Sequence, residues 1–357
     1  MGNRLLMKGN EAIGEAAILA GCRAYFCYPI TPQTEVAEYL ARRMPEVGGV
    51  FLQGESEVAV AYMLFGAAAG GRKVFTTSSS PGISLMAEGM SYLAAAELPV
   101  VIGNVMRNGP GLGGILPCQA DYFQATKGAG HGDYRFLVLA PASVQEAVDM
   151  MILGFDLAEK YRTPVMLVAD GMIGQMMEPV EIPEFAEEPS PNIKGYEEWA
   201  TIGAKGRGQH LVKTLYLKPE LSWEHNLKLK AKYDLIEANE IRCEEVDTEG
   251  NLDVLIVSFG TMARICKTAM TELQERGVKV GMLRPQTLWP FPLQRIREVA
   301  ARARMVFSIE LSMGQMVEDV DRAVQGQAPV HFYGKAGGLV PVPAEVTAAI
   351  LEKVEDK

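Results

Sequence analysis

The sequence predicts an α/β fold built from two parallel-sheet β/α domains, and three observations carry that expectation. Short apolar runs of strand length alternate with segments of helical period, first over residues 11–178 and again from Leu252 onward. Proline- or glycine-bearing turns stand directly after the runs, as in Tyr28-Pro29-Ile30-Thr31-Pro32 and Ser80-Pro81-Gly82. Between the two regions the texture changes to proline, glutamate and scattered charge. Strands separated by helices imply a parallel sheet with both faces covered. The expected units are residues 1–180, a linker or arm over 181–250 that packs on neighbours, and 251–357.

Glu11 to Ala20 carries small apolar side chains at helical spacing, and Arg23 to Tyr28 is a strand-like run. Pro29 and Pro32 fix φ and push their predecessors out of the α region, so the run ends in a rigid turn. Thr34 is the expected cap of a helix reaching Arg43. Strand, rigid loop and helix in that order place Thr31 at a strand's carboxyl end, where open α/β sheets hold their ligands.

Next comes FLQGESEVAVAYMLFGAAAGGR, residues 51–72. After Glu55-Ser56-Glu57, Val58 to Gly66 carries no charge, and a helix apolar on every face belongs inside a domain. It is too short to span a bilayer. Ser56 is the expected N-cap, which puts Glu57 in the first turn, where the helix dipole favours an acid. The plain reading of Glu57 is decoration of a helix start. A carboxylate leading into a buried helix is partly dehydrated, however, and that suits it to proton transfer, which makes Glu57 the first candidate for chemistry.

The same grammar repeats in a strand from Val74 to Ser80, a helix from Ile83 to Ala96 and a strand from Pro99 to Val105. Phe136 to Leu139, a helix from Val144 to Lys160 and a strand from Pro164 to Ala169 extend the sheet, and the first domain closes near Glu178. PVEIPEFAEEPSPN opens the arm, with a helix expected around Trp223 to Asn239. In the second domain VLIVSFG, VKVGMLR, MVFSIEL and VHFYG read as strands. Helices between them include the face Ile265, Cys266, Ala269, Met270 and Leu273, stopped by Gly277.

Composition narrows the function. With 357 residues, 48% of them hydrophobic, the chain can bury a sizeable core, and a net charge of −10 argues against binding to nucleic-acid phosphates. No run reaches membrane-spanning length and no secretory signal is recognisable, so a cytoplasmic location is expected. Five cysteines without a CxxC pair and four separated histidines give no metal-ligand pattern, so no metal is expected on this chain.

Gly109, Gly111 and Gly114 satisfy GxGxxG after a strand, but Pro117 interrupts what should be the phosphate-binding helix, and the dinucleotide reading is rejected. Arg107 stands at the mouth of this glycine-rich loop. A guanidinium fork suits a carboxylate, with Leu112, Ile115 and Leu116 as apolar walls; surface salt bridging is the competing reading. The ligand suggested is a small acid with an apolar tail.

YPITP, the Ser56-Glu57 helix, the strand ending in Arg107 and the later APASVQE (residues 140–146) together resemble the alpha subunit of 2-oxoacid:ferredoxin oxidoreductases, over nearly the whole chain. The resemblance implies a pyrimidine-binding-type thiamine diphosphate domain followed by a transketolase C-terminal-like domain. It implies that Glu57 exchanges a proton with the aminopyrimidine ring, that Thr31 and Arg107 hold the 2-oxoacid carboxylate, and that Pro29 and Thr31 border the cofactor. Decarboxylation would leave an acyl group for coenzyme A and electrons for ferredoxin. Neither GDG followed by NN nor cluster-binding cysteines occur, so Mg²⁺ with its diphosphate half-site and the iron–sulfur clusters are expected on beta, gamma and delta-type partner subunits, and the isolated chain is expected to be inactive. The loop NGPGLGGILPCQ resembles the branched-chain (2-oxoisovalerate) members. A 2-oxoglutarate or pyruvate enzyme, a non-catalytic structural subunit and a self-sufficient thiamine decarboxylase are the alternatives. Lys127 or His131, folded inward, would serve a second carboxylate; Glu310 and Gln315 receive no role beyond helix or interface contacts.

Overall fold

The structure is a computed structural model that describes residues 4–183 and 189–355. Residues 184–188 of the proline-rich arm lie outside the described residues. The first sheet has seven strands in the order Thr287–Trp289, Leu137–Leu139, Val165–Asp170, Val101–Met106, Val74–Ser78, Ala24–Cys27 and Val50–Gln53. All run parallel except Thr287–Trp289. The central strands Val74–Ser78, Val101–Met106 and Val165–Asp170 are buried along their whole length, as strands covered on both faces must be. Helix Gly9–Leu19 packs with Thr34–Glu46 and Val144–Tyr161, while Glu57–Ala69 packs with Ala87–Ala95.

Strand order creates a crevice at the edge of this sheet. From Ala24–Cys27 the chain moves outward to Val50–Gln53, then crosses back to Val74–Ser78 on the other side. Loops leaving Ala24–Cys27 and Val74–Ser78 therefore turn to opposite faces and leave a crevice at the carboxyl edge.

The second sheet runs Val330–Gly334, Ala303–Glu310, Leu252–Ser258, Val280–Pro285 and Cys243–Val246, the last antiparallel. Gly260–Glu275 packs with Pro343–Glu355, and Leu293–Ala300 with Met316–Val324.

Buried polar groups join the two lobes. Asp170 accepts from the backbone N–H of Thr261 at 2.9 Å, from Thr261 Oγ1 at 2.6 Å and from Gln119 Nε2 at 3.3 Å, besides capping its own short helix. Arg284 donates to both oxygens of Glu146 (2.9 and 2.6 Å) and to Glu244 at 2.5 Å. Thr287–Trp289 leaves the second lobe altogether and pairs with the first sheet's edge. Glu310, fully buried, accepts from the N–H groups of Gln315, Met316 and Val317 and from Ser312 Oγ, which holds the start of helix Met316–Val324. Gln315 bridges to the first lobe through Ala120 O and the N–H of Phe123.

Several local expectations change. The helix at residues 57–69 is not enclosed on every face of this chain: Val58 and Tyr62 are 43% and 42% exposed, because only one side of the helix meets the sheet and the Ala87–Ala95 helix. Thr34 is the first residue of its helix rather than its cap, since the preceding Gln33 is drawn to Thr77. The helix expected from Ile83 starts at Ser80, with Pro81 in the first turn where no N–H is needed, and it breaks at Met86. Strands Val50–Gln53, Cys243–Val246 and Thr287–Trp289 and helix Pro343–Glu355 have no counterpart in the sequence reading. Within the 181–250 segment, helix Pro219–Asn239 buries Leu229, Tyr233 and Ile236 and pairs Lys228 and Lys232 with Glu97 of the first lobe. Its inner face is thus covered by this chain itself.

Candidate functional site

Four strand ends and one helix start converge at the crevice. Tyr25 Oη and Thr77 Oγ1 lie 2.6 Å apart beneath it, and Thr77 donates to Gln33 Oε1 at 2.5 Å, which ties the YPITP turn to the neighbouring strand. Gln33 Nε2 returns a bond to Tyr28 O at 3.3 Å. Pro29 and Thr31 stand exposed at the rim of this turn. One strand further out, the N–H of Gly54 donates to Cys27 O at 2.8 Å and sets the path into the Glu57 helix.

Ser56 caps that helix, its hydroxyl accepting from the N–H of Ala59 at 3.2 Å. Glu57 follows in the first turn with 5% exposure, and among the described residues nothing donates a hydrogen bond to its carboxylate. It lies against the turn after Val74–Ser78: a Cβ added at Gly82 would stand 2.6 Å from Glu57 Oε1 and 2.1 Å from Ser78 Oγ. Only glycine leaves room there. The hydroxyls of Ser78 and Ser79 are buried without partners, so this wall of the crevice carries unmet polar capacity.

Arg107 is 7% exposed at the end of the neighbouring strand. Its Nη1 donates to Thr31 O at 2.9 Å and its Nη2 to Leu112 O at 3.2 Å, while Nε is buried without a partner. The structure thereby brings Thr31 and Arg107 into direct contact, and places Glu57 against the turn that separates their strands. The residues 108–116 form a loop closed at its base by Asn108 N–H donating to Leu116 O at 3.0 Å. Leu112 at its tip is 82% exposed, with Ile115 and Leu116 also outward, so the apolar walls expected around Arg107 are not closed within this chain.

Beneath Arg107 lies a network that the sequence reading did not find. Ser80 Oγ donates to Asp121 Oδ2 at 2.6 Å and accepts the Arg107 N–H at 3.0 Å; Asn104 Nδ2 donates to the same carboxylate oxygen at 2.9 Å. Burial pushes the Asp121 carboxyl above its ordinary range, against the opposing pull of Ser80, Asn104 and Arg107. A signal existed, because Asn104 is the one polar side chain in the otherwise apolar run VIGNVM.

Lys127 and His131 are accounted for elsewhere. Lys127 Nζ sits 2.6 Å from both oxygens of Asp319 in the second lobe, and His131 lies at the surface with its ring edge on Tyr92.

Comparison with known proteins is consistent across three levels. The family described as "Pyruvate flavodoxin/ferredoxin oxidoreductase, thiamine diP-bdg" matches residues 15–243, and "Pyruvate:ferredoxin oxidoreductase core domain II" matches residues 252–346. The chain is 46% identical over 333 residues to the ketoisovalerate oxidoreductase subunit VorB of Methanothermobacter marburgensis, covering 93% of each chain. It is 35% identical over 375 residues to the 2-oxoglutarate synthase subunit KorA of Methanothermobacter thermautotrophicus, covering 99% of each. Among solved structures, the 2-oxoglutarate:ferredoxin oxidoreductase from Magnetococcus marinus superposes with a TM-score of 0.88 at 27% identity; the match covers 99% of this chain and 66% of that one.

Proposed function

We propose, because the chain belongs to the pyruvate flavodoxin/ferredoxin oxidoreductase family, that it is the alpha subunit of a thiamine-diphosphate-dependent, CoA-acylating 2-oxoacid:ferredoxin oxidoreductase that takes a branched-chain 2-oxoacid. The observation that carries this reading is the meeting of the candidate residues at one crevice, with Arg107 Nη1 2.9 Å from Thr31 O and Glu57 against the Ser78–Gly82 turn between them.

The residues present fit the cofactor. A buried carboxylate without a donor from its own chain, beside orphaned hydroxyls and a glycine that keeps the space open, is an acceptor prepared for an outside N–H. When bound, thiamine diphosphate supplies the carbon nucleophile for the keto group and takes up the electron pair released with CO₂. Glu57 holds and returns a proton at the aminopyrimidine ring nitrogen, and its burial keeps that proton from bulk water. Arg107, with Thr31, grips the substrate carboxylate by a charge-assisted fork, and Pro29 and Thr31 border the cofactor. We assign the Mg²⁺–diphosphate half of the site, and the iron–sulfur clusters that lead to ferredoxin, to beta, gamma and delta-type partner subunits, since this sequence has neither GDG with NN nor a cluster-binding cysteine pattern.

Two observations support an apolar oxoacid. Lys127, one of the two candidates for a second carboxylate, is committed to Asp319, and the loop beside Arg107 presents Leu112, Ile115 and Leu116. The relative named for ketoisovalerate is also more similar than the one named for 2-oxoglutarate, at 46% against 35% identity. The test is turnover of the natively purified complex with 2-oxoisovalerate, pyruvate and 2-oxoglutarate, coenzyme A and a low-potential acceptor. The highest kcat/KM is expected with 2-oxoisovalerate. Preference for 2-oxoglutarate would overturn the substrate class, and no acceptor reduction with any of them would leave a structural subunit.

A further inference from the structure

The strand pair Val74–Ser78 and Val101–Met106 stops exchanging ladder bonds at Ser78 opposite Asn104, because the chain beyond Ser79 turns into a helix. Arg107 lies past that point; on the other side its strand stays paired as far as Met106 opposite Asp170, and Arg107 itself forms a single bridge with Pro117. Ser80 takes over the missing ladder position with its side chain: its oxygen receives the Arg107 N–H at 3.0 Å and lies 3.1 Å from Arg107 O. A serine hydroxyl has a single proton, and here the Asp121 carboxylate at 2.6 Å claims it. That fixes the hydroxyl so that its lone pairs face the Arg107 N–H. Asn104 completes the arrangement, donating to Asp121 at 2.9 Å and accepting the Ser80 N–H on its own Oδ1 at 3.2 Å.

We infer that Ser80, Asn104 and Asp121 are positioning residues for Arg107: they anchor its main chain so that the guanidinium is held at the crevice beside Thr31. The inference rests on the reading of Arg107 as the group that binds the oxoacid carboxylate. An arginine that must meet a carboxylate with two parallel hydrogen bonds tolerates little displacement of its Cα, and on the side of Val74–Ser78 the Ser80 hydroxyl is what takes the Arg107 N–H. None of the three needs to touch substrate. Their effect belongs to how well Arg107 is placed.

The test uses the assembled complex carrying Ser80→Ala, Asp121→Ala, Asp121→Asn or Arg107→Ala, each measured for kcat, for KM of the 2-oxoacid and of coenzyme A, and for thermal unfolding. Ser80→Ala and Asp121→Ala are expected to raise the oxoacid KM about tenfold, the scale of one lost hydrogen bond, with kcat and the coenzyme A KM within about twofold of the parent. Asp121→Asn keeps an acceptor for Ser80 and is expected to recover most of that loss. If Arg107→Ala raises the oxoacid KM while Ser80→Ala and Asp121→Ala leave it within about twofold, the positioning inference alone falls. It falls also if these variants raise both KM values together with a lowered melting temperature, which marks general damage. Should Arg107→Ala itself leave the oxoacid KM unchanged, the carboxylate reading fails and this inference with it.

Discussion

Replacing Glu57 by Gln isolates one proton from everything else the side chain does. Glutamine keeps the length and nearly the volume of the glutamate, so it fits the space bounded by Gly82 and Ser78. The Ser56 cap remains, and the lost first-turn charge removes only about 0.3–1 kcal/mol of helix-dipole stabilisation. Unfolding should therefore change little. The amide, by contrast, cannot take up or return a proton, and a positioned acid–base group contributes roughly 10²–10⁴-fold to rate, or about 3–5 kcal/mol of activation free energy. The assay is the single-turnover and steady-state reduction of a low-potential acceptor by the reconstituted complex, normalised to thiamine diphosphate released on acid quench so that lost cofactor is separated from lost chemistry. A kcat within about threefold of the parent, at equal cofactor content, would refute proton transfer by Glu57.

Arg107→Ala is expected to lower kcat/KM for the oxoacid by about 2–5 kcal/mol of transition-state binding, the scale of removing one partner from a buried charge pair; titration of rate against oxoacid concentration measures it. Asp170→Ala strands the N–H and hydroxyl of Thr261 between the lobes, while Gln119 Nε2 keeps its bond to Phe259 O at 2.9 Å, and should destabilise the chain by about 2–4 kcal/mol in denaturant unfolding, whereas an unshifted midpoint would mean that Asp170 contributes nothing to joining the lobes. Burial pushes the Cys22 and Cys266 thiols up to about 12 and Cys27 to about 11, so they carry almost no thiolate near neutral pH. A chromogenic disulfide reagent should accordingly titrate at most one thiol, Cys243, in the folded chain and all five after denaturation.

Family membership and the oxidoreductase class follow from residues that stand together in the chain, such as YPITP and Ser56-Glu57, because a short motif carries its own backbone geometry wherever it folds. The strand, turn and helix grammar was legible for a related reason. Apolar period and proline or glycine breakers act over a few neighbouring residues, so Val74–Ser78, Val101–Met106, Val144–Tyr161 and Val165–Asp170 could be read nearly as they stand. The exposed apolar side of the Glu57 helix was misread because composition reports that a face is apolar, not whether this chain or another covers it.

The sequence signals the network under Arg107 only by the lone polar Asn104 in its strand, since Ser80, Asn104 and Asp121 are separated by enough chain that no periodic pattern links them. Nor does a local rule announce that Thr287–Trp289 crosses to the other lobe's sheet, that Asp170 binds Thr261 91 positions away, or that Lys127 is claimed by Asp319. By itself the sequence determined the family and the kind of element on which each candidate residue sits, because helix, strand and turn preferences are local. Tertiary structure alone decided which of those groups meet, because hydrogen bonds and ion pairs are chosen by distance in space, and burial makes an unmet partner costly wherever the chain happens to bring it.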